Sequence, residues 1–226
     1  SVFHNRRWDW GYLTVRKAIE DGLLGMPYLF QAGIMRYGSP GRWRGEKSSS
    51  GGILYDWPAH FVDQALQLVD SNPVRVYCQL TYRDTWDTDI GNYGSIMIHF
   101  ANDVTYQIEI GNLAAANKPR WYICGDKGAL VKHGLDPQEG FMGEARILES
   151  EEHPDNYARV TTYVSGEKEE LVLESVKGYW TYYYKNISEV LNDGADLIVT
   201  PEQMLPLMKV YDAAMESSET GQAVSL

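Results

Sequence analysis

The amino-acid sequence predicts an α+β fold, with a large open, mostly antiparallel β-sheet and helices packed on one face of it. The prediction rests on the order of the periodicities: two helical segments, a long series of strands, then two more helices, without the strand–helix alternation that builds a parallel sheet. Apolar residues make up 44% of the 226 residues, which supplies a sizeable core. We therefore expect residues 1–226 to form a single domain.

Four segments have the apolar spacing of amphipathic helices. Two precede the main run of strands and two follow it. The predicted helices span residues 10–22, 53–69, 176–192 and 201–220. Thr200 has the residue type of an N-cap, and it is followed by Pro201 at the first helical position and by Glu202 in the first turn, so it predicts the start of the fourth helix.

Alternating apolar and polar residues predict the strands. The clearest alternation runs over residues 74–82, 96–100 and 104–110. Asn102-Asp103 joins the last two as a tight hairpin in which Asn102 can take a positive φ, so the three strands should form an antiparallel meander. Further strands are predicted over residues 27–36, 119–124, 128–132, 144–149, 158–164 and 169–174.

The sheet face turned away from the helices needs its own explanation. Its residues are neither strongly apolar nor strongly charged: Tyr77, Gln79, Thr81, Met97, Thr105 and Gln107. The face is either solvated or stacked on its copy in a symmetric dimer, because the surfaces of interfaces are about as apolar as ordinary surface. The residues alone favour neither alternative.

Charge and composition exclude several classes of protein. The chain carries 20 Lys and Arg against 31 Asp and Glu, a net charge of −11 without a basic block, which argues against binding nucleic acid or an anionic membrane. No apolar run is long enough for a membrane span and no signal peptide is evident, so we expect a cytoplasmic protein. Cys78 and Cys124 lie outside any CxxC pair and are expected to be buried free thiols.

The first residues and the glycines predict that part of the protein lies outside this chain. Ser1-Val2-Phe3 lacks an initiator Met and has the character of a strand end, as in a chain cut from a longer protein. Neither the GxGxxG motif nor the P-loop motif occurs, so the common nucleotide-binding loops are absent. We expect any dinucleotide to be held elsewhere.

The most concentrated chemistry follows a long loop over residues 37–52, and a loop of that length in a compact domain is often functional. Asp56, His60 and Asp63 fall within about 60° of one another on a helix. A carboxylate beside an imidazole fixes its tautomer and raises its basicity, as a general base requires. Two alternatives stay open: the wet face of an amphipathic helix with Asp56 as N-cap, or a cation site.

A second group of candidates surrounds residues 5–9. The Arg6 guanidinium can hold carboxylate, phosphate or polyol oxygens, and Trp8 can stack on a sugar ring. The alternative for Arg6 is a surface ion pair with Asp9. Tyr182, in an aromatic run at a predicted helix start, can line a sugar pocket or cover the sheet.

Taken together, these segments resemble the C-terminal domain of the glucose-fructose oxidoreductase, inositol dehydrogenase and rhizopine-catabolism (Gfo/Idh/MocA) family of NAD(P)-dependent oxidoreductases. The resemblance covers nearly the whole chain, with matching order and spacing. It is carried by Asn5-Arg6-Arg7-Trp8-Asp9 with the helix end at residues 20–25, by Gly51-Gly52 to Asp63 with its Asp-x3-His-x2-Asp, by residues 123–130 and by residues 216–221.

The resemblance implies roles for the candidate residues. His60 takes the proton of a substrate hydroxyl and Asp56 orients or assists it, as the catalytic pair. Arg6 and Asp63 match positions that contact substrate or face the nicotinamide pocket. One face of the open sheet would form the substrate pocket, and the other an oligomer contact. We place Trp8 and Tyr182 with the substrate-binding residues and assign no metal ligand.

The resemblance also implies what the chain lacks. A Rossmann domain precedes this one in such enzymes, binds NAD or NADP, and supplies a Lys from a Glu-Lys-Pro motif. Neither is present here, so this chain alone should be inactive and bind no dinucleotide. Two functions stay open: the substrate-binding and catalytic part of a sugar or polyol dehydrogenase, or a non-catalytic sheet module for dimerisation or carbohydrate binding.

Overall fold

The computed structural model describes all 226 residues. The helices, in chain order, are α1 (Trp10–Glu20), α2 (Lys47–Ser50), α3 (Trp57–Leu68), α4 (Gln138–Met142), α5 (Thr181–Asp193) and α6 (Met204–Thr220). The strands are β1 (Pro27–Met35), β2 (Pro73–Thr81), β3 (Tyr93–Phe100), β4 (Thr105–Gly111), β5 (Trp121–Gly125), β6 (Gly128–Lys132), β7 (Ala158–Thr162), β8 (Glu169–Leu173) and β9 (Val224–Ser225). The chain divides into two compact units.

The second unit, Tyr28–Arg120 with Pro206–Leu226, contains five strands in the order β1-β4-β3-β2-β9. All neighbouring pairs are antiparallel except β1 with β4. One face is apolar and buried, with Val76, Ile96 and Ile108 on adjacent strands. Helix α6 lies on this face, where Ser217 Oγ accepts a hydrogen bond of 2.8 Å from Cys78 N.

The other face of the same five strands is open. Tyr77, Met97, Gln107 and Gln31 form one row across β2, β3, β4 and β1. Tyr77 and Met97 are 39% and 40% exposed, and Gln31 Nε2 donates to Gln107 Oε1 at 2.9 Å. The meander of β2 to β4 and an open, mostly antiparallel sheet with helices on one face are therefore confirmed.

The first unit, Ser1–Pro27 with Trp121–Leu205, contains four antiparallel strands in the order β8-β7-β6-β5. Its core includes Val15 of α1 and Ile123, Leu130 and Val160 of successive strands, each no more than 1% exposed. Helix α1 approaches β5 and β6 closely, because a Cβ on Gly11 would come within 3.3 Å of Trp121 Nε1 and Lys132 Cε.

The predicted start of the third main helix at residue 176 is wrong, since α5 begins at Thr181. Hydrogen bonds to α1 occupy the preceding segment instead. Val176 N donates to Thr14 Oγ1 at 2.9 Å, and Trp10 Nε1 donates to the Gly178 carbonyl at 2.6 Å. These long-range bonds hold the segment out of the helix.

The predicted fourth helix also begins late, at Met204. Thr200 and Gln203 form a reciprocal pair, in which Gln203 N donates to Thr200 Oγ1 at 3.4 Å and Thr200 N donates to Gln203 Oε1 at 3.2 Å. The capping residue is thus correctly identified, but the turn after it is irregular. Pro206 has no N–H to bond back into that turn.

Two local predictions need correction. Asp103, not Asn102, takes the positive φ of the hairpin, at 63°. Residues 144–149 form no strand; they contain a 3₁₀ turn at Ile147–Glu149. The backbone bonds of this segment are local turns, such as Glu149 N to the Arg146 carbonyl at 2.9 Å, and they take the place of a strand ladder.

Cys78 is a buried free thiol, as predicted, and burial raises its pKa to about 12. Cys124 is also free but only half-buried. No helix of the chain is both long and apolar enough to span a bilayer.

Candidate active site

The segment before α3 owes its path to two glycines. Gly51 has φ +80° and Gly52 has φ +119°, values that side-chain-bearing residues rarely adopt. A 3₁₀ turn follows at Ile53–Tyr55, and Ile53 N donates to the Ile90 carbonyl at 3.1 Å. The Gly-Gly pair of the sequence therefore redirects the chain so that α3 begins at Trp57.

A tyrosine of α6 anchors this turn within the second unit. Tyr211 Oη donates to the Leu54 carbonyl at 2.8 Å, and its ring stacks on Tyr55 with centroids 5.2 Å apart. Burial, more than any other cause, raises the pKa of Tyr211 well above its ordinary value, so the phenol stays a neutral donor. The start of α3 is thereby held in a fixed position.

Asp56 stands at the N-cap position of α3, but its side chain makes no capping hydrogen bond. Its Oδ2 instead lies 3.3 Å from Arg44 Nε, in the long loop that the sequence marked as a functional candidate. The helix-cap alternative therefore does not describe this carboxylate. Its charge is directed towards a guanidinium at the surface of the unit.

A small cavity, about 30 Å³, lies beside Asp56. Its polar walls are Arg36, Arg44 and Asn112, with Trp57 on the apolar side. The side chain of Asn112 is fixed in orientation, because its Oδ1 accepts a hydrogen bond from Asn92 Nδ2 at 3.1 Å. A cavity of this size admits about one water molecule, so a sugar or polyol would need walls beyond it.

His60 lies one helical turn after Asp56 and is half-buried, with its Nδ1 atom buried. Asp63 is only 2% exposed and Gln64 is fully buried. Asp63 of the predicted stripe is therefore turned away from solvent, whereas Asp56 and His60 are half-buried. No group of three or more His, Cys, Asp or Glu side chains is placed to hold a metal ion.

Sequence reasoning did not identify Arg120. This residue is 7% exposed, and its guanidinium carbon lies 4.0 Å from the ring centroid of Phe61 and 6.0 Å from that of Trp57. Both rings belong to the first turns of α3, so Arg120 packs against the helix that carries His60. No sequence signal distinguishes it, since it is 60 residues from His60.

The structure places Arg6 in a buried network of the first unit. Its guanidinium bonds to Glu139, lies 3.6 Å from Asp9 Oδ1, and stacks 4.8 Å from the ring centroid of Trp180. The residue is 9% exposed, so the ion pair with Asp9 is internal and not on the surface. These contacts are structural ones.

Trp8 and Tyr182 also lie in the first unit. Trp8 is half-buried, with its ring edge-on to Tyr183 at 6.4 Å. Tyr182 is 41% exposed and meets Tyr179 edge-on at 5.5 Å. The predicted residues thus divide between the units: Arg6, Trp8 and Tyr182 in the first, Asp56, His60 and Asp63 in the second.

Asp136 of the first unit has a strongly perturbed carboxyl group. Burial, and then the charge of Asp9, raise its pKa from 3.8 to about 7. Its Oδ2 accepts from Trp10 N at 2.6 Å, and its Oδ1 accepts from the Gln138 backbone and side chain at 3.0 Å. The folded protein therefore binds a proton here more tightly than the unfolded chain does.

This raised pKa predicts a pH-dependent stability. The contribution of Asp136 to the free energy of unfolding is present at low pH and is lost as the pH rises from 3.8 to about 7. Asp9→Asn removes the neighbouring charge and keeps the oxygen that accepts from Trp180 Nε1. We expect the loss of stability across this pH range, measured by urea unfolding, to be smaller in the variant. An equal loss would show that Asp9 does not act on Asp136.

Comparison with known proteins adds to this geometry. Residues 12–131 match the model of a family described as the GFO/IDH/MocA C-terminal domain. The chain is 31% identical over 232 residues to the scyllo-inositol 2-dehydrogenase (NADP(+)) IolW of Bacillus subtilis (strain 168), covering all of this chain and 64% of that protein.

Solved structures show the same similarity. The proposed oxidoreductase YvaA of Bacillus subtilis has 30% identity to this chain and a TM-score of 0.89. The match covers all of this chain and 65% of the YvaA chain. An NAD-binding protein from Listeria innocua has 25% identity and a TM-score of 0.79, covering 99% of this chain and 66% of its own. The chain thus spans about two thirds of the length of these proteins.

Proposed function

The chain belongs to the GFO/IDH/MocA family of oxidoreductases and corresponds to the C-terminal domain of that family. We propose that residues 1–226 are the substrate-binding and catalytic part of an NAD(P)-dependent dehydrogenase. The substrate would be a sugar, a polyol or a related hydroxy compound, oxidised at a CH–OH group. The name of the similar Bacillus subtilis protein, a scyllo-inositol dehydrogenase, supports a polyol. We place the whole protein in the cytoplasm.

The arrangement at the start of α3 carries this proposal. Asp56 borders the small cavity, and His60 follows one turn later on the same helix. An imidazole can accept the proton of a hydroxyl near neutral pH, and a nearby carboxylate stabilises the imidazolium that forms. The donors of Arg36, Arg44 and Asn112 at the cavity suit hydroxyl oxygens of a substrate.

Asp63 and the residues of the first unit have separate roles in the proposal. Asp63 is buried on α3, so it would affect substrate binding indirectly, by stabilising the position of that helix. Tyr182 is exposed enough to contact a ligand, whereas Trp8 is half-buried and Arg6 is tied to Glu139. The assignment of Tyr182 and Trp8 as substrate contacts stays a sequence-based prediction, and we regard Arg6 as the residue that fixes their surroundings.

The residues of this chain do not fit a dinucleotide. The only Gly-Gly turn leads into a 3₁₀ turn and a helix with Pro58 in its first turn, which is not the strand, glycine-rich loop and helix that hold a pyrophosphate. NAD or NADP would accept the hydride when bound by a preceding domain, and this chain handles the proton. We expect titration of residues 1–226 with NADH or NADPH to show no saturable micromolar binding. Such binding would contradict the proposal that another domain holds the dinucleotide.

Activity of the full-length protein tests the proposed function. The protein is incubated with NAD or NADP and a panel of inositols, aldoses and linear polyols. We expect at least one compound to reduce the nicotinamide, which is measured by the absorbance of the reduced form. A protein that binds the dinucleotide but reduces it with none of these compounds would contradict a sugar or polyol dehydrogenase. That result would favour the non-catalytic sheet module.

The open sheet face supports a second part of the proposal, an oligomer formed through this face. Its central row combines exposed Tyr77 and Met97 with two glutamines, a surface with little charge. Two such faces can stack in a symmetric dimer.

A charge on this face should therefore lower the oligomeric state. We expect Met97→Lys to shift the protein to a smaller species in analytical ultracentrifugation. Met208→Lys is the matched control, because Met208 is similarly exposed, at 49%, but lies on α6. The same sedimentation for wild type and both variants would argue against this interface.

A further inference from the structure

A second cavity, about 210 Å³, lies within the first unit. It is bordered by three glutamates, Glu151, Glu152 and Glu174, and by Ser175 and Tyr157. Its volume corresponds to about seven water-sized groups, enough for a small organic molecule. None of these residues belongs to the site at the start of α3.

Two residues that border this cavity each have a buried polar atom without a hydrogen-bond partner in the chain. These atoms are Glu152 Oε2 and Ser175 Oγ. The Glu152 side chain is 3% exposed and Ser175 is 6% exposed. The other oxygen of Glu152 is fully engaged, since Lys132 Nζ donates to Oε1 at 2.6 Å. Buried polar atoms are normally paired, so these two favour a ligand that brings its own polar groups.

The charges around the cavity favour a cation. Lys132 pairs with Glu152 and Lys177 borders the cavity, so the three glutamates leave an excess of one negative charge. Burial, followed by the charges of Glu174 and Glu152, raises the pKa of the Tyr157 phenol, which indicates the same negative field. A positive ligand would complete the neutralisation.

The cavity also has an aromatic wall suited to an ammonium group. Trp10 borders it, and Lys177 Nζ lies 5.5 Å from the centroid of the Trp10 ring. This contact places one ammonium on the ring face already. The same wall can accept the methylene groups of a ligand chain.

We propose that this cavity binds a small organic cation, a compound with a primary ammonium group and a short chain ending in a hydroxyl. The ammonium donates to Glu152 Oε2 and faces Glu174, and the hydroxyl pairs with Ser175 Oγ. The proposal is independent of the dehydrogenase function, because it concerns other residues. The result of the activity assay therefore neither supports nor contradicts it.

A matched pair of probes tests the charge. Calorimetric titration of the full-length protein would use aminobutanol, with its amine and hydroxyl at opposite ends, and the butanediol of the same length. We expect saturable binding of the amine, at least ten-fold tighter than the diol and weakened by added salt. Equal affinities would show that the cavity does not select a cation, and no binding of the amine would show that it holds solvent only; either result would overturn the proposal.

Two variants locate the binding. Ser175→Ala removes one hydrogen bond to the ligand and Glu174→Gln removes the charge of an exposed side chain, so each should weaken amine binding about two- to five-fold. Glu167→Gln changes an exposed glutamate of the same unit that does not border the cavity; this control variant should bind like wild type. Both cavity variants are chosen because they leave the Lys132–Glu152 pair intact. Wild-type binding in both of them would place the amine elsewhere and contradict the proposal.

Discussion

The His60→Ala variant of the full-length protein is expected to oxidise its substrate about 10²- to 10⁴-fold more slowly than wild type. The loss arises because alanine cannot accept the hydroxyl proton. The affinity for NADH should change little, since the residues of this chain do not fit the dinucleotide. Steady-state kinetics and a fluorescence titration with NADH measure the two quantities on the same protein.

Two further variants make this result specific. His133→Ala carries the same substitution at an exposed histidine of the first unit and should retain wild-type rates. Asp56→Asn should lower the rate less than His60→Ala, because the amide keeps one acceptor oxygen but loses the charge next to Arg44. A wild-type rate for Asp56→Asn would remove the carboxylate from the mechanism.

Lys132→Met is expected to lower the free energy of unfolding by about 3–5 kcal/mol. Lys132 Nζ donates to Glu152 Oε1 and to the Asn156 carbonyl, both at 2.6 Å, and both charged side chains are only 3% exposed. Methionine preserves the length of the side chain and leaves the Glu152 charge buried without its partner. Urea unfolding measures the loss.

A double variant separates the ion pair from simple packing. Glu152→Gln added to Lys132→Met removes the isolated charge, so the double variant should be more stable than Lys132→Met alone. A double variant that is as unstable as the sum of the two single variants would show that the pair contributes no coupling. In that case the packing of the side chains, and not their charge, stabilises this part of the first unit.

Strand predictions succeeded where the signal is local. The alternation over β2, β3 and β4 is strong, and a tight turn sets the register of the last two. The parallel pairing of β1 with β4 joins residues about 75 positions apart and has no counterpart in local periodicity. Strand β9 has two residues, too few for a periodic signal.

Helix predictions failed at boundaries where long-range contacts prevail. The sequence before α5 has helical spacing, yet Thr14 and Trp10 bind its backbone in an extended path. At the start of α6 the cause is local. The Thr200 cap is present, but a proline six residues later shifts the start of the regular helix to Met204. Intrinsic propensity decides only where no tertiary partner competes.

The site was predictable only in part. Helical spacing identified Asp56 and His60, and the loop containing Arg44 stood out by its length. Arg120 and Asn112 reach this region through the fold, which no spacing along the chain reveals. Arg6 shows the limit of reasoning from residue type, because a guanidinium suited to anions or polyols is occupied by Glu139 and Asp9.

The pH dependence of kcat/KM for wild type and His60→Ala is the most direct test of a proton-accepting imidazole at the start of α3. We expect the wild-type profile to have an acidic limb, because protonation of the free base stops the reaction. His60→Ala should lose this limb and react slowly at every pH. Retention of the wild-type limb in His60→Ala, at a near wild-type rate, would contradict the role of His60 and leave α3 without its proposed base.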